Sequence, residues 1–351
     1  MNLLPDPKIR IEDVARAAKV SVATVDRVLN KRGNVKRETA RHVLNVLEKL
    51  RYIPDENARR LAKQNVASFC VAIPAGPFYF FRHLEREFER LRVQFLHEGV
   101  TITFVPLADR DAGSVVNFFS TKAPSFDGVA IVSFDHPSVL EAVNGYCSKG
   151  GKVVCVVSDL PRSGRQSFIG IDNVSAGKTA ALLLGRFSPE QTGSVALLSG
   201  AIQQRDHQDR ALGFQSVLKS DFPSLKIVAI EGEHRSEEEW RNYSKRLLKK
   251  YSDLRGIYHT GAENAGIARG LRESRKKGSV VFVAHELTDE SRVLLADGLL
   301  DVILNQDAHF IASRALRTLT SLWQDKMIAE HVQQLSVVEI YVRENLPPKE
   351  E

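Results

Sequence analysis

The sequence predicts a small all-α helix-turn-helix head followed by an α/β body of two doubly wound parallel-sheet lobes. Three observations predict it. Over residues 11–30, apolar residues recur in two sets at i, i+3, i+4 spacing with a tight turn between them. From Ala67 onward, short apolar runs alternate with helical stretches over about 270 residues, the pattern of strands and crossover helices. The charge is also uneven. Residues 1–65 hold 15 Lys+Arg against 8 Asp+Glu, so the first fifth of the chain carries all of the net +6, and the remainder is close to neutral.

In the head, Ile11, Val14, Ala15 and Ala18 mark one helix, and Val25, Val28 and Leu29 a second. Lys19-Val20 is too short for anything but a turn, and Ser21 is a good N-cap, its hydroxyl taking an orphan backbone N–H. In such a unit the second helix enters the DNA major groove and its first residues face base edges. The alternative is an ordinary helical hairpin, against which the local positive excess counts, because it attracts phosphates. The basic turn of Lys31 and Arg32 is placed to touch the DNA backbone. A third helix is predicted over Lys36–Leu50, with Ala40, Val43, Leu44, Leu47 and Leu50 as its buried stripe. Ile53-Pro54 ends that region, since the residue before proline avoids helical geometry. Asp55 is suited to cap one more short helix, too short to be stable alone in water.

The opening DVARAAKVSVATVDRVLN, the third helix ending in LRYIP and the segment NARRLA resemble, in order and spacing, the lactose-repressor (LacI) family of bacterial regulators. The resemblance implies that Ser21, Val22, Ala23, Thr24 and Arg27 lie on the DNA, with Val22, Ala23 and Arg27 reading bases. It implies a hinge in which Leu61 wedges into the minor groove beside Asn57, while Ala58 lets two hinge helices approach. Two departures stand out. Asp26 occupies a place where the family usually has serine, and Lys36 replaces the usual cap serine of the third helix. The domains expected are a head over 1–54, a hinge over 55–65, an effector and dimerisation body over 66–345 and a tail over 346–351.

In the body, the runs SFCVAIP, VTITFVPL, FDGVAIVS, KVVCVVSD, SFIGID, SVALLSG, LKIVAIEG, RGIYHTG, SVVFVAHE and LDVILNQD read as strands, and residues 83–97 and 175–187 as helices between them. Ligands in such folds bind at strand C-terminal ends, here in a cleft between lobes. This region resembles the periplasmic sugar-binding proteins of the ribose-binding type (a periplasmic binding protein type I-like fold). By that resemblance Phe78 and Tyr79 supply aromatics for a sugar ring. Asp159, Asn173, Arg210, Asn264, Glu286 and Gln306 supply polar contacts, with Glu286 standing where aspartate is usual. Carboxylates, amides and an arginine suit a polyhydroxyl ligand, whose buried hydroxyls all need partners. The simpler readings are interlobe packing for Phe78 and Tyr79, a surface pair for Arg210 and a helix cap for Asp172.

Ser175-Ala176-Gly177-Lys178-Thr179 resembles the end of a phosphate loop, but the glycine that motif needs five residues before Gly177 is Asp172. No HExxH, GxSxG or paired-cysteine motif is present, so no enzyme, cofactor or metal is expected. Cys70, Cys147 and Cys155 have no metal-type spacing, and neither a signal peptide nor a run of 18 apolar residues is found, so a cytoplasmic bacterial protein without a membrane partner is expected. The function expected is that of a ligand-responsive, sequence-specific transcriptional regulator, a repressor by first reading. Its partners would be a pseudo-palindromic double-stranded operator and a sugar, polyol or cyclitol. The assembly would be a homodimer, with a tetramer as the further option. The rival reading is a sugar-binding protein without a regulatory role.

Overall fold

The structure, a computed structural model, describes residues 11–29, 35–50, 66–76, 79–190, 192–199, 204–231, 236–274, 279–325 and 332–348. It divides into two compact units between Val66 and Ala67.

The head contains α1 (Ile11–Ala18), α2 (Val22–Leu29) and α3 (Arg37–Lys49). Lys19 turns the chain between the first two with a left-handed φ of 51°. The Thr24 amide then donates to Ser21 Oγ at 3.1 Å, the cap that starts α2. Val14, Ala15, Ala18, Val25, Val43 and Leu47 form the core, with Val46 and Leu50 packed against it. Leu44 does not join them and is 53% exposed. α1 and α2 cover only one narrow face of α3, and the 43, 46/47, 50 stripe fills it, which leaves position 44 outside.

In the body's first lobe, β1 (Ala67–Pro74), β2 (Val100–Leu107), β3 (Gly128–Ile131), β4 (Val153–Val156) and β5 (Ser167–Ile171) alternate with α4 (Tyr79–His97), α5 (Ala112–Thr121) and α6 (Pro137–Cys147). The second lobe contains α7 (Asn173–Phe187), β6 (Gly193–Leu198), α8 (Arg205–Asp221), β7 (Leu225–Glu231), α9 (Glu237–Lys250), β8 (Leu254–His259), α10 (Ala265–Glu273), β9 (Val281–His285), α11 (Asp289–Ala296) and β10 (Val302–Asn305). The chain then returns through α12 (Ala308–Trp323) and β11 (Val332–Ser336) to the first lobe, and ends on β12 (Glu339–Tyr341) in the second.

The sheets run β11-β5-β4-β3-β1-β2 and β12-β10-β9-β8-β6-β7. Each is the doubly wound 2-1-3-4-5 order with one strand added at the edge; β11 is parallel to β5, and β12 is antiparallel to β10. Apolar layers cover both faces of both sheets. That burial on two sides is why the strands read as continuous apolar runs. The two added edge strands, β11 and β12, have no such run. VQQLS and EIY are half-buried at best, which removes the signal.

The chain crosses between lobes at 171–173, 305–308 and 336–339, where successive elements belong to different sheets. Asn173 and Gln306 therefore sit at crossings. α7 starts two residues earlier than the periodicity suggests, because Asp172 caps it. Its carboxylate accepts from the Ser175 amide at 2.9 Å and from Ser175 Oγ at 2.6 Å. Among the described residues, no helix is long and apolar enough to cross a membrane.

Candidate functional site

The head presents the first turns of α2 outward. Val22 is 41% exposed, Ala23 and Arg27 are exposed, and Thr24 is half-buried with its Oγ1 2.9 Å from Ser21 Oγ. Small side chains followed by an arginine on one open helix face suit thymine methyls and a guanine edge. Lys31, Arg32, Asn57, Ala58, Leu61 and Phe78 lie outside the described residues.

In the body, the geometry centres on Arg210, 2% exposed in α8. Its Nε donates to Asn173 Oδ1 at 2.8 Å, and its Nη1 donates to the Thr260 carbonyl at 2.8 Å. Its Nη2 lies 3.8 Å from Glu286 Oε1. That same carboxylate oxygen accepts from Gln306 Nε2 at 2.7 Å. Glycine makes this convergence possible. A Cβ on Gly177 in α7 would lie 1.9 Å from the Arg210 carbonyl, and one on Gly213 would lie 2.0 Å from that of Val174. The helices carrying Asn173 and Arg210 thus touch backbone to backbone.

Glu286 follows β9 with φ at 67°, a strained conformation for a non-glycine residue. Its amide donates to the Leu304 carbonyl at 3.0 Å, and its own carbonyl accepts from Ser291 Oγ at 2.8 Å, which holds the turn. Burial raises its carboxyl to about 7, against the lowering pull of Arg210 and Gln306. The first lobe has its counterpart: Val157, just after β4, has φ at 69°, two residues before Asp159. A β-branched residue there is a true outlier, and such strain gathers at functional sites.

Asp159 is buried in a bidentate pair with Arg165, Nη2 donating to Oδ2 at 2.7 Å and Nε to Oδ1. Asp159 also reaches the second lobe by its field. Asp209 is pushed up first by its own burial and further by repulsion from Asp206 and Asp159, against its pair with Arg205. Asn264 is engaged within its lobe. Its Oδ1 lies 2.8 Å from His259 Nδ1, and its Nδ2 donates to the His285 carbonyl at 3.3 Å, which ties the ends of β8 and β9. Tyr79 lines a cleft of about 610 Å³ with Arg82, Glu85, Arg86, Glu89, Phe104 and Asp289, a lining that includes none of the residues grouped around Arg210.

Among the described residues, Arg210 Nη2, Glu286 Oε2, Gln306 Oε1, Asp206 Oδ1 and Arg165 Nη1 are buried polar atoms with no hydrogen-bond partner. Such atoms are costly unless a bound molecule or water answers them. Sequence reasoning missed Arg165 and Asp206. For Asp206 a signal existed, since it lies one helical turn before Arg210 on the same face. Arg165 precedes β5 in an irregular segment and gave none.

The chain resembles known proteins along most of its length. The model for bacterial regulatory proteins of the lacI family matches residues 10–55, and that for the periplasmic binding protein domain matches residues 80–327. Catabolite control protein A of Streptococcus mutans is 26% identical over 329 residues, covering 93% of this chain and 94% of its own. The HTH-type transcriptional regulator MalR of Clostridium butyricum is 27% identical over 309 residues, covering 81% and 84%. Among solved structures, GanP, a glucose-galactose binding protein from Geobacillus stearothermophilus, superposes with a TM-score of 0.74 at 19% identity, covering 81% of this chain and 100% of its own. A solute-binding protein from Burkholderia graminis in complex with D-arabinose gives 0.73 at 23% identity, covering 80% and 96%. The two-lobed body thus belongs to the periplasmic binding protein domain family, and the helical head joined to it is a domain of the lacI family of bacterial regulatory proteins.

Proposed function

We propose that this protein is a sugar-responsive repressor in the bacterial cytoplasm, binding a pseudo-palindromic operator as a homodimer. Each copy places α2 in the major groove, and a small polyhydroxylated effector in the cleft between lobes modulates the grip. The observation that carries the effector site is the convergence of Asn173, Arg210, Glu286 and Gln306, with Arg210 Nη2, Glu286 Oε2 and Gln306 Oε1 left unanswered at strand C-terminal ends. Hydroxyls both donate and accept, so a sugar, polyol or cyclitol answers such a mixed set. Because Asn173 and Gln306 lie at lobe crossings, a ligand held by both biases the lobe angle, and two sites then share two global states.

The test uses operator fragments selected from random DNA and anisotropy at several salt concentrations. With six to ten phosphate contacts, affinity should fall roughly 10³- to 10⁵-fold between about 50 and 200 mM salt. A flat salt response, or operator binding unchanged by every sugar and polyol tried, would overturn the proposal.

A further inference from the structure

Among the described residues, the cleft contains more buried carboxyl groups than buried guanidiniums. Three carboxylates are nine-tenths buried or more at the strand ends: Asp159, Asp206 and Glu286. Two guanidiniums are equally buried there, Arg165 and Arg210. Asp159 pairs with Arg165, and Glu286 faces Arg210 at 3.8 Å. Asp206 is left over. The basic group nearest to it among the described residues is His207, whose Nε2 is 3.8 Å from Asp206 Oδ2. Burial holds that imidazole neutral, its pKa lowered to about 4, and its Nδ1 is already engaged with Thr260 Oγ1 at 2.8 Å. Asp206 Oδ1 has no hydrogen-bond partner among the described residues. Among the unanswered atoms of this wall, Asp206 Oδ1 and Gln306 Oε1 are acceptors and Arg210 Nη2 is a donor, while Glu286 Oε2 accepts when ionised and donates when protonated.

From this imbalance we infer that the effector is an amine-bearing sugar, its ammonium seated against Asp206 on the second-lobe wall. The inference rests on the effector reading proposed above and narrows its chemical class. An ammonium brings three N–H donors and one positive charge. It matches the acceptor excess and neutralises the one buried carboxylate without a counterion, which a neutral hydroxyl answers only by its dipole. The rest of the ring's hydroxyls remain for Arg210, Gln306 and the first-lobe groups.

The test is a calorimetric panel on the full-length protein at pH 7. D-glucosamine, D-galactosamine and D-mannosamine are each compared with the parent hexose and with the N-acetyl derivative. A charge-assisted contact in a buried site predicts at least about tenfold tighter binding of one free amine than of its hydroxyl and N-acetyl counterparts. Asp206→Asn should bring the three forms of that sugar to within a few-fold of one another. Two results would overturn the inference: a neutral or N-acetylated sugar binding as tightly as its free amine, or the amine preference surviving in Asp206→Asn. In either case the sugar-effector reading stands. If no sugar of any of the three forms binds, the effector reading itself fails, and the narrower inference with it.

Discussion

Glu286→Gln should change how stability depends on pH, and by a calculable amount. Glu286 is buried beside Arg210 and Gln306, with its pKa raised from 4.5 to about 7. The native state therefore binds a proton there that the unfolded chain has released. Stability from this group is full below about pH 4.5 and is lost as pH rises to 7, since the carboxylate must then ionise in a site that disfavours its charge. At roughly 1.4 kcal/mol per pH unit the loss is about 3 kcal/mol. Glutamine keeps the shape and the acceptor for Gln306 Nε2 but cannot ionise. The variant should match the wild type near pH 4.5 and exceed it by about 3 kcal/mol at pH 8. Urea unfolding followed through Trp240, buried in the same lobe, reports it. Taking the difference between the two proteins cancels His207, which acts in the opposite direction, because its depressed pKa favours the native state as pH rises from about 4 to 6.5. A difference that stays constant from pH 4.5 to 8 would refute the reasoning.

Other substitutions probe the remaining parts. Arg210→Met strips Asn173, the Thr260 carbonyl and Glu286 of one shared partner; a loss of about 3–5 kcal/mol in unfolding free energy is expected, together with loss of calorimetric effector binding. Gly177→Ala puts a methyl 1.9 Å from the Arg210 carbonyl, where only backbone can give way, so a loss of about 1–3 kcal/mol or more should show as a lower melting temperature. Arg27→Ala, exposed on α2, should weaken operator binding by about 1–3 kcal/mol and relax selectivity at one base position in a selection experiment. Val25→Ala opens the head's core and should cost about 2 kcal/mol, seen as earlier melting of the helical head while the body's transition is unmoved.

Both lobes were legible wherever burial was one-sided or complete. The ten apolar runs all became strands: the inner ones because a parallel sheet covered on both faces demands continuous apolar sequence, and the edge strand β2 by alternating buried and exposed residues. The start of α2 was legible because Ser21 caps it within three residues. Leu44 misled the reading of α3, since helical spacing marks a face but not how wide a neighbour covers it. Tyr79, one of the two expected aromatic contacts, opens α4 and lines a cleft with Arg82, Arg86, Phe104 and Asp289, neighbours that spacing in the sequence does not give.

Local sequence determined what depends on neighbours a few residues apart: helix phase, caps, strand runs and the placement of positive charge at one end. Tertiary structure alone decided which polar groups meet. Asn173, Arg210, Glu286 and Gln306 lie up to 133 residues apart, and nothing in their spacing fixes a distance between them. They converge because parallel strands bring all their C-terminal ends to one edge, and because two glycines let α7 and α8 touch. The pairing of Asp159 with Arg165 follows from the same packing, as does the placing of Asp206 beside His207. A charge's partner is set by position in space, which the chain encodes only through the whole fold.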